Sequence, residues 1–486
     1  MKGSGLLASA IAAVFLMSCA TSLRQKDWVP PEVDDLAGSA RKGPVTGSKM
    51  RDDSAALQAM LDAAESEYIQ FPRERLYLVQ SKLRIPADRE VDFNGSTIRK
   101  TSSDASSAFQ ILVQTGAVVR NLTFEIPVDV MINRGFNLSA GAELHNVRVV
   151  SADQQANTRS QEHAAVNING NGTRIDHLEV ENFDSVIRCE GGSRGSAWSN
   201  ITVTSYLQAF DLYDCRDFSL TDFLAHTRSP NAGTRPGHNG LTLRGAKSGR
   251  LSNIDIRDSG EHGIYVAGSQ IANSDLRFVD VKVTRPGQCG LKIRNTAAKT
   301  TGISIDGLVV QDAHFGNKAG WNEDGLRIEL AEGVSVTGFS LTRSNNARSS
   351  AHDGIYVSRS SKVRIVAPII RDVANTGIRI RDEGAGSKMN DIIIESPTIS
   401  GTGRGHGIEI EVSGTDSELG MVSVSNARIS NTAGYAVQID AADAAIVDEV
   451  RIAGVYQSAN GGQVNNVRSN SNSLLDVRLE GSGDRK

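Results

Sequence analysis

An all-β fold built as a parallel β-helix is the class this sequence predicts, and three observations predict it. First, a unit of glycine, aliphatic, any residue, aliphatic recurs: Gly240-Leu-Thr-Leu243, Gly263-Ile-Tyr-Val266, Gly290-Leu-Lys-Ile293, Gly325-Leu-Arg-Ile328, Gly354-Ile-Tyr-Val357, Gly377-Ile-Arg-Ile380 and Gly407-Ile-Glu-Ile410. It fades to Ala436-Val-Gln-Ile439, and the intervals are 23, 27, 35, 29, 23, 30 and 29 residues, the period of a solenoid coil. Second, an alternating strand stands upstream of most units, as in Ile254-Asp-Ile256, Ile303-Ser-Ile305, Val334-Ser-Val336 and Val363-Arg-Ile365. Third, only 24 of 486 residues are aromatic, so the core must be filled by stacked Ile, Val and Leu. Coils of this kind stack at about 4.8 Å. The charge balance of 52 basic against 56 acidic residues offers no global attraction for nucleic acid.

The elements follow in chain order. Lys2 precedes an apolar run, Leu6 to Met17, too short for a bilayer but suited to a secretory signal. The run ends Leu16-Met-Ser-Cys19, which resembles the lipobox of bacterial lipoproteins, whose cysteine is acylated and becomes the new N-terminus. That resemblance implies a signal peptide over 1–18 and a lipid on Cys19, with Ala20 favouring the outer membrane of a Gram-negative bacterium, on its periplasmic face or at the cell surface. Residues 19–50, with Pro30, Pro31, Gly38 and Ser39, read as a tether, leaving 51–486 for the β-helix. The exported context makes the remaining cysteines notable. Cys189 and Cys215 are 26 residues apart, close to one repeat, but the strand registers do not put them in one column. Buried free thiols are therefore expected, with a disulfide as the alternative, and Cys289 remains odd. No cysteine or histidine spacing suits zinc, and no cofactor is expected.

A helix is expected near Asp53 to Glu65, capped by Asp52 or Asp53, because Leu57, Met60, Leu61 and Ala64 share one face. It would cover the open N-terminal end of the solenoid. The period then changes to two, through Ile69 and Phe71, Leu76 and Leu78, Leu83 and Ile85, and Val91 and Phe93. The polar C-terminal stretch, Ala459 to Lys486, carries a last weak strand at Leu474 to Leu479. Asp52-Asp-Ser-Ala-Ala-Leu-Gln58, Phe71-Pro72, Leu76-Tyr-Leu78, Ile85-Pro86 and Asn94-Gly-Ser-Thr-Ile98 together resemble the N-terminal region of the pectin-lyase-like superfamily. The resemblance implies a single-stranded right-handed parallel β-helix, a scaffold shared by polygalacturonases, polysaccharide lyases, uronan epimerases and phage tailspikes.

Function must come from a site. The outward residue of each unit forms a column: Thr242, Tyr265, Lys292, Arg327, Tyr356, Arg379, Glu409 and Gln438. The next outward position adds Arg244, Arg294, Glu329, Ser358 and Arg381. From Tyr265 to Arg381 this reads either as a basic and aromatic bed for an acidic polysaccharide or as ordinary solubilising decoration. Long corners at Ala225 to Asn239, Asp312 to Asp324 and Arg343 to Asp353 could wall a groove, with Trp321 placed to stack on a sugar.

The residues preceding each glycine form a third column, in which Asp324 and Asp353 fall in adjacent coils, an arrangement that would set their carboxyls roughly 5 Å apart. Glu323 and His352 lie beside them in sequence. Paired carboxylates supply one acid and one base for glycosidic cleavage, whereas Asp and His also favour such turns for purely local reasons. Gln288-Cys289, Glu323-Asp324, His352-Asp353-Gly354 and Arg379-Ile-Arg381 resemble the four successive motifs of polygalacturonases, with the first aspartate absent and the histidine displaced by one. That resemblance implies catalytic roles for Glu323, Asp324, His352 and Asp353 and substrate contacts at Arg379 and Arg381. Two readings follow. One is a lipoprotein that cleaves a uronate-containing polysaccharide by hydrolysis or by β-elimination, the latter with Lys292, His352 or Tyr356 as base and Arg327 or Arg379 as cation. The other is a non-catalytic envelope protein that binds or organises matrix glycan. Some related lyases use calcium, but no loop here has a calcium-ligand series.

Overall fold

The computed structural model describes residues 51–63, 66–155, 164–227, 238–268, 270–295, 298–315, 324–344, 351–382, 386–413, 417–441 and 446–458, and the closing strands at 465–469, 474–480 and 483–484. The expected signal peptide, Cys19 and the tether lie outside these residues, as do Trp321 and Glu323.

The chain winds as a single parallel β-helix, and every strand pairing is parallel. Its first ladder runs through Leu83, Ile111, Phe136, Val166, Ile187, Phe210, Leu241, Ile264, Leu291, Leu326, Ile355, Ile378, Ile408 and Val437. These are the first aliphatics of the glycine units and their N-terminal counterparts. All are at most 2% exposed, so each coil's apolar side chain is covered by the coils on either side. Glycine is required at the head of the unit by close approach: a Cβ on Gly354 would lie 2.5 Å from the Gly377 carbonyl oxygen and from Ile370 Cγ2.

Two further ladders complete each coil, where the pattern alone suggests one. Ile303 and Ile305 pair with Val334 and Val336, and these with Val363 and Ile365, on the second. Ile254 and Ile256 pair instead with Val281 and Val283, on the third. The two strands look alike in sequence because both alternate with period two. Their distance from the following glycine differs, since the third strand lies immediately before it and the second a strand earlier. The corner between them needs a left-handed residue, which accounts for Asn253, Asp280, Gly307, Gly338 and Asn426 with φ between 53° and 75°.

The helix spans Ser54–Ala63. Asp52 Oδ1 accepts the Ser54 N–H at 3.0 Å, Asp53 Oδ2 accepts that of Leu78 at 2.9 Å, and Leu57 and Leu61 are 1% exposed. Gln58 then behaves as an extra strand. Its amide accepts from Arg84 N at 2.8 Å and donates to Arg84 O at 3.0 Å, closing the edge of Leu83–Ile85. At the other end, Asn465–Ser469 and Leu474–Glu480 extend the ladders.

The expectation of free thiols at Cys189 and Cys215 is corrected: the two form a disulfide, with Cα atoms 6.3 Å apart. Cys189 ends its strand opposite Leu212, and a left-handed residue at Asp214 turns the chain so that Cys215 returns over that column. Counting strand registers alone misses the corner. Cys289 lies outside the disulfide and is buried, and burial pushes its thiol up to about 12.

Candidate active site

Six of the seven glycine units are preceded by a residue whose side-chain nitrogen or oxygen accepts a main-chain N–H from the next coil, and Cys289 precedes the other. Asn239 Oδ1 takes that of His262 at 3.0 Å, and His262 Nδ1 takes that of Cys289 at 3.3 Å. Asp324 Oδ1 takes that of Asp353 at 3.2 Å, and Asp353 Oδ1 that of Thr376 at 3.0 Å. Thr376 Oγ1 takes that of His406 at 3.4 Å and His406 Nδ1 that of Tyr435 at 2.9 Å. These amides point along the solenoid axis at a corner, so an acceptor side chain is what satisfies them.

At Asp324 and Asp353 one carboxylate oxygen is used in this way and the second turns to the outward strip. Asp324 Oδ2 receives Arg327 Nη1 at 2.7 Å. Asp353 Oδ2 faces His352 Nδ1 at 3.3 Å and Arg379 Nε at 3.7 Å, while Asn375 Nδ2 donates to Asp353 Oδ1 at 3.0 Å. One carboxylate oxygen each from Asp324 and Asp353 and one ring nitrogen of His352 all lie within 4.8 Å of one another. Both aspartates are 1% exposed, whereas the His352 side chain is 50% exposed.

This arrangement separates the titrations of the three groups. Burial, followed by the Asp353 charge, pushes the Asp324 carboxyl up to about 6 against the pull of Arg327. Burial opposes ionisation of Asp353 as well, but His352, Arg379 and the Thr376 amide hold its carboxyl below the ordinary aspartate value. His352 moves the other way, since its bond to Asp353 raises it above an ordinary imidazole. A closed acid–base pair thus stands under one accessible imidazole.

The outward columns are continuous. Tyr265, Lys292, Arg327, Tyr356, Arg379 and Glu409 are successive ladder partners, as are Arg294, Glu329, Ser358 and Arg381. Arg327 lies over the Tyr356 ring at 3.8 Å, and Lys292 over the Tyr265 ring at 5.4 Å. The arginines are interleaved with carboxylates. Arg327 also bonds Glu329 at 2.7 Å, Arg379 bonds Glu409 at 2.8 Å, Arg294 lies 3.4 Å from Glu329, and Arg381 lies 3.1 Å from Glu411. The pairing role of Glu329, Glu409 and Glu411 is what the sequence reading missed. Its signal was present, because Glu329 and Glu409 occupy the same outward columns as the arginines. Lys292, Arg327 and Tyr356 are 6, 7 and 4% exposed, so this part of the strip is recessed. Of the three long corners, only the flanks belong to the described residues.

Comparison with known proteins places the fold. A family model described as a right-handed β-helix region matches residues 273–449. No curated protein sequence matches the chain. Among solved structures, the tailspike protein of E. coli bacteriophage HK620 is similar at 10% identity and a TM-score of 0.51, over 87% of this chain and 76% of that one. The catalytic unit of an α-1,3-glucanase from Streptomyces thermodiastaticus is similar at 14% identity and a TM-score of 0.46, over 90% of this chain and 72% of that one. A periplasmic alginate epimerase is similar at 14% identity and a TM-score of 0.39, over 83% and 86%. At these identities the likeness concerns the fold, a right-handed parallel β-helix.

Proposed function

We propose that this right-handed parallel β-helix is a carbohydrate-active enzyme that cleaves an acidic polysaccharide by β-elimination, with His352 as the base. The observation that carries the reading is the difference in access within one cluster: Asp324 and Asp353 are 1% exposed, and the His352 side chain that rests on Asp353 is half exposed. Hydrolysis by the two carboxylates would require a sugar to reach closed groups. Lys292 and Tyr356, the other candidate bases, are recessed, and Tyr356 is covered by Arg327.

In this reaction the imidazole takes the C5 proton of a uronate. The C5–H electron pair becomes the C4–C5 double bond, the C4–O4 bond breaks, and water returns a proton to the departing oxygen. Asp353 orients His352 and stabilises the imidazolium that forms, while Arg379 supplies positive charge beside the pair. Incubation with polygalacturonate, alginate and neutral glucans should yield ultraviolet-absorbing unsaturated ends from a uronan. New reducing ends without that absorbance would transfer the chemistry to the carboxylates, and binding without products would make the protein a matrix-organising one.

The proposal extends to location: a lipid on Cys19 would hold the enzyme at the outer membrane, where matrix glycans pass. Mass spectrometry of the mature N-terminus should find a diacylglyceryl-modified cysteine at that position, and an unmodified terminus elsewhere would exclude the anchor.

A further inference from the structure

The outward strip carries Lys292, Arg294, Arg327, Arg379 and Arg381, and the four arginines face carboxylates within 4 Å. A polyanion laid along them meets Glu329, Glu409 and Glu411 as well. Lys292 differs from its neighbours. It is 6% exposed, and among the described residues it makes no hydrogen bond or ion pair; its contact is the Tyr265 ring. A buried ammonium is ordinarily paired, because removal from water without a partner is costly.

The surroundings do not compensate for it. The Cys289 thiol beside it is held neutral by burial, Arg294 and Arg327 bring further positive charge, and Glu329, the carboxylate of that group, is already held by Arg327 at 2.7 Å and approached by Arg294 at 3.4 Å. The Asp324 carboxylate is likewise engaged by Arg327. Burial accordingly lowers the Lys292 ammonium below the ordinary lysine value. Lys292 stands between Tyr265 and Arg327 in the outward column, so its stem is covered by the neighbouring coils while the column itself faces away from the core.

We infer that Lys292 binds a carboxylate of the polymer at a subsite two coils from His352, and that this lysine, rather than the paired arginines, sets the preference for an acidic over a neutral glycan. The inference rests on reading the strip as the substrate bed. The ladder order Lys292, Arg327, Tyr356 fixes the displacement at two coil steps, roughly 10 Å along the axis. A substrate carboxylate there completes an ion pair that the described residues do not supply, and Tyr265 offers a flat surface under the same sugar.

Calorimetric affinities for short oligouronates and for neutral oligosaccharides of equal length test this on the full chain, using the parent, Lys292→Met and Lys292→Arg. The parent should prefer the uronate. Lys292→Met should lose roughly ten- to hundredfold in uronate affinity, with neutral affinity unchanged. Lys292→Arg should keep the preference. The methionine variant should also melt higher than the parent, since an apolar chain of similar length replaces an unpaired buried charge, whereas a purely structural lysine would make it melt lower. Lys292-dependent uronate binding without turnover would uphold the subsite and defeat the catalytic reading. Equal affinity of the parent for acidic and neutral oligomers, absence of binding included, would overturn the subsite, as would a methionine variant that keeps the preference.

Discussion

Replacing Ile355 by aspartate should destabilise the solenoid more than any substitution on its outer face. Ile355 is 0% exposed and lies between Leu326 and Ile378 in the first ladder, and its N–H donates to the Gly377 carbonyl at 2.9 Å. An aspartate there places a carboxylate in a row of aliphatics that contains no donor for it. The loss should be on the order of 4 kcal/mol or more, against about 1 kcal/mol for Ile355→Val, which removes one methylene from the same place. Chemical denaturation followed by far-ultraviolet circular dichroism measures both. An aspartate variant as stable as the valine one would mean that Ile355 does not point inward.

The second large effect is expected on turnover. His352→Gln removes the base, and Asp353→Asn removes the charge that orients it while leaving an amide oxygen to accept the Thr376 N–H. Each should lower the elimination rate by about two to four orders of magnitude with the melting temperature little changed. The pH profile distinguishes their roles. Elimination needs the neutral imidazole, and Asp353 raises its pKa, so the parent rate should climb with pH through a value above that of an ordinary histidine. In Asp353→Asn that limb should move to lower pH, because the raising charge is gone. Unaltered rates in both variants would leave Asp353 a member of the hydrogen-bonded column and His352 a surface residue resting on it.

Most of the architecture could be read from the residues because stacking repeats one requirement many times. Eight units reporting the same inward position establish a ladder even when one of them, at Ala436, lacks the glycine. The column order from Tyr265 to Glu409 followed for the same reason, and the ladders place those residues in that order. Features decided by corners were not legible. Ile254 and Ile303 carry the same alternating pattern although they belong to different ladders, and the Cys189–Cys215 bridge depends on a left-handed turn at Asp214. At the site, Asp324, His352 and Asp353 could be selected by spacing. That His352 alone of the three meets solvent depends on which carboxylate oxygen each main-chain amide takes, and an alternating pattern contains no record of that.

The column of acceptor side chains before the glycines has a consequence for how such a protein changes over time. The position accepts Asn, His, Asp or Thr because each can receive an amide proton, and these are also side chains that can hold, orient or transfer a proton for a reaction. A single substitution such as Asn239→Asp would keep an oxygen to accept the His262 N–H and create a new carboxylate in another coil of the column. A reactive centre in this scaffold can therefore migrate along the axis by small steps, each foldable, so lineages sharing the backbone could drift to different reactions without passing through an unfolded ancestor.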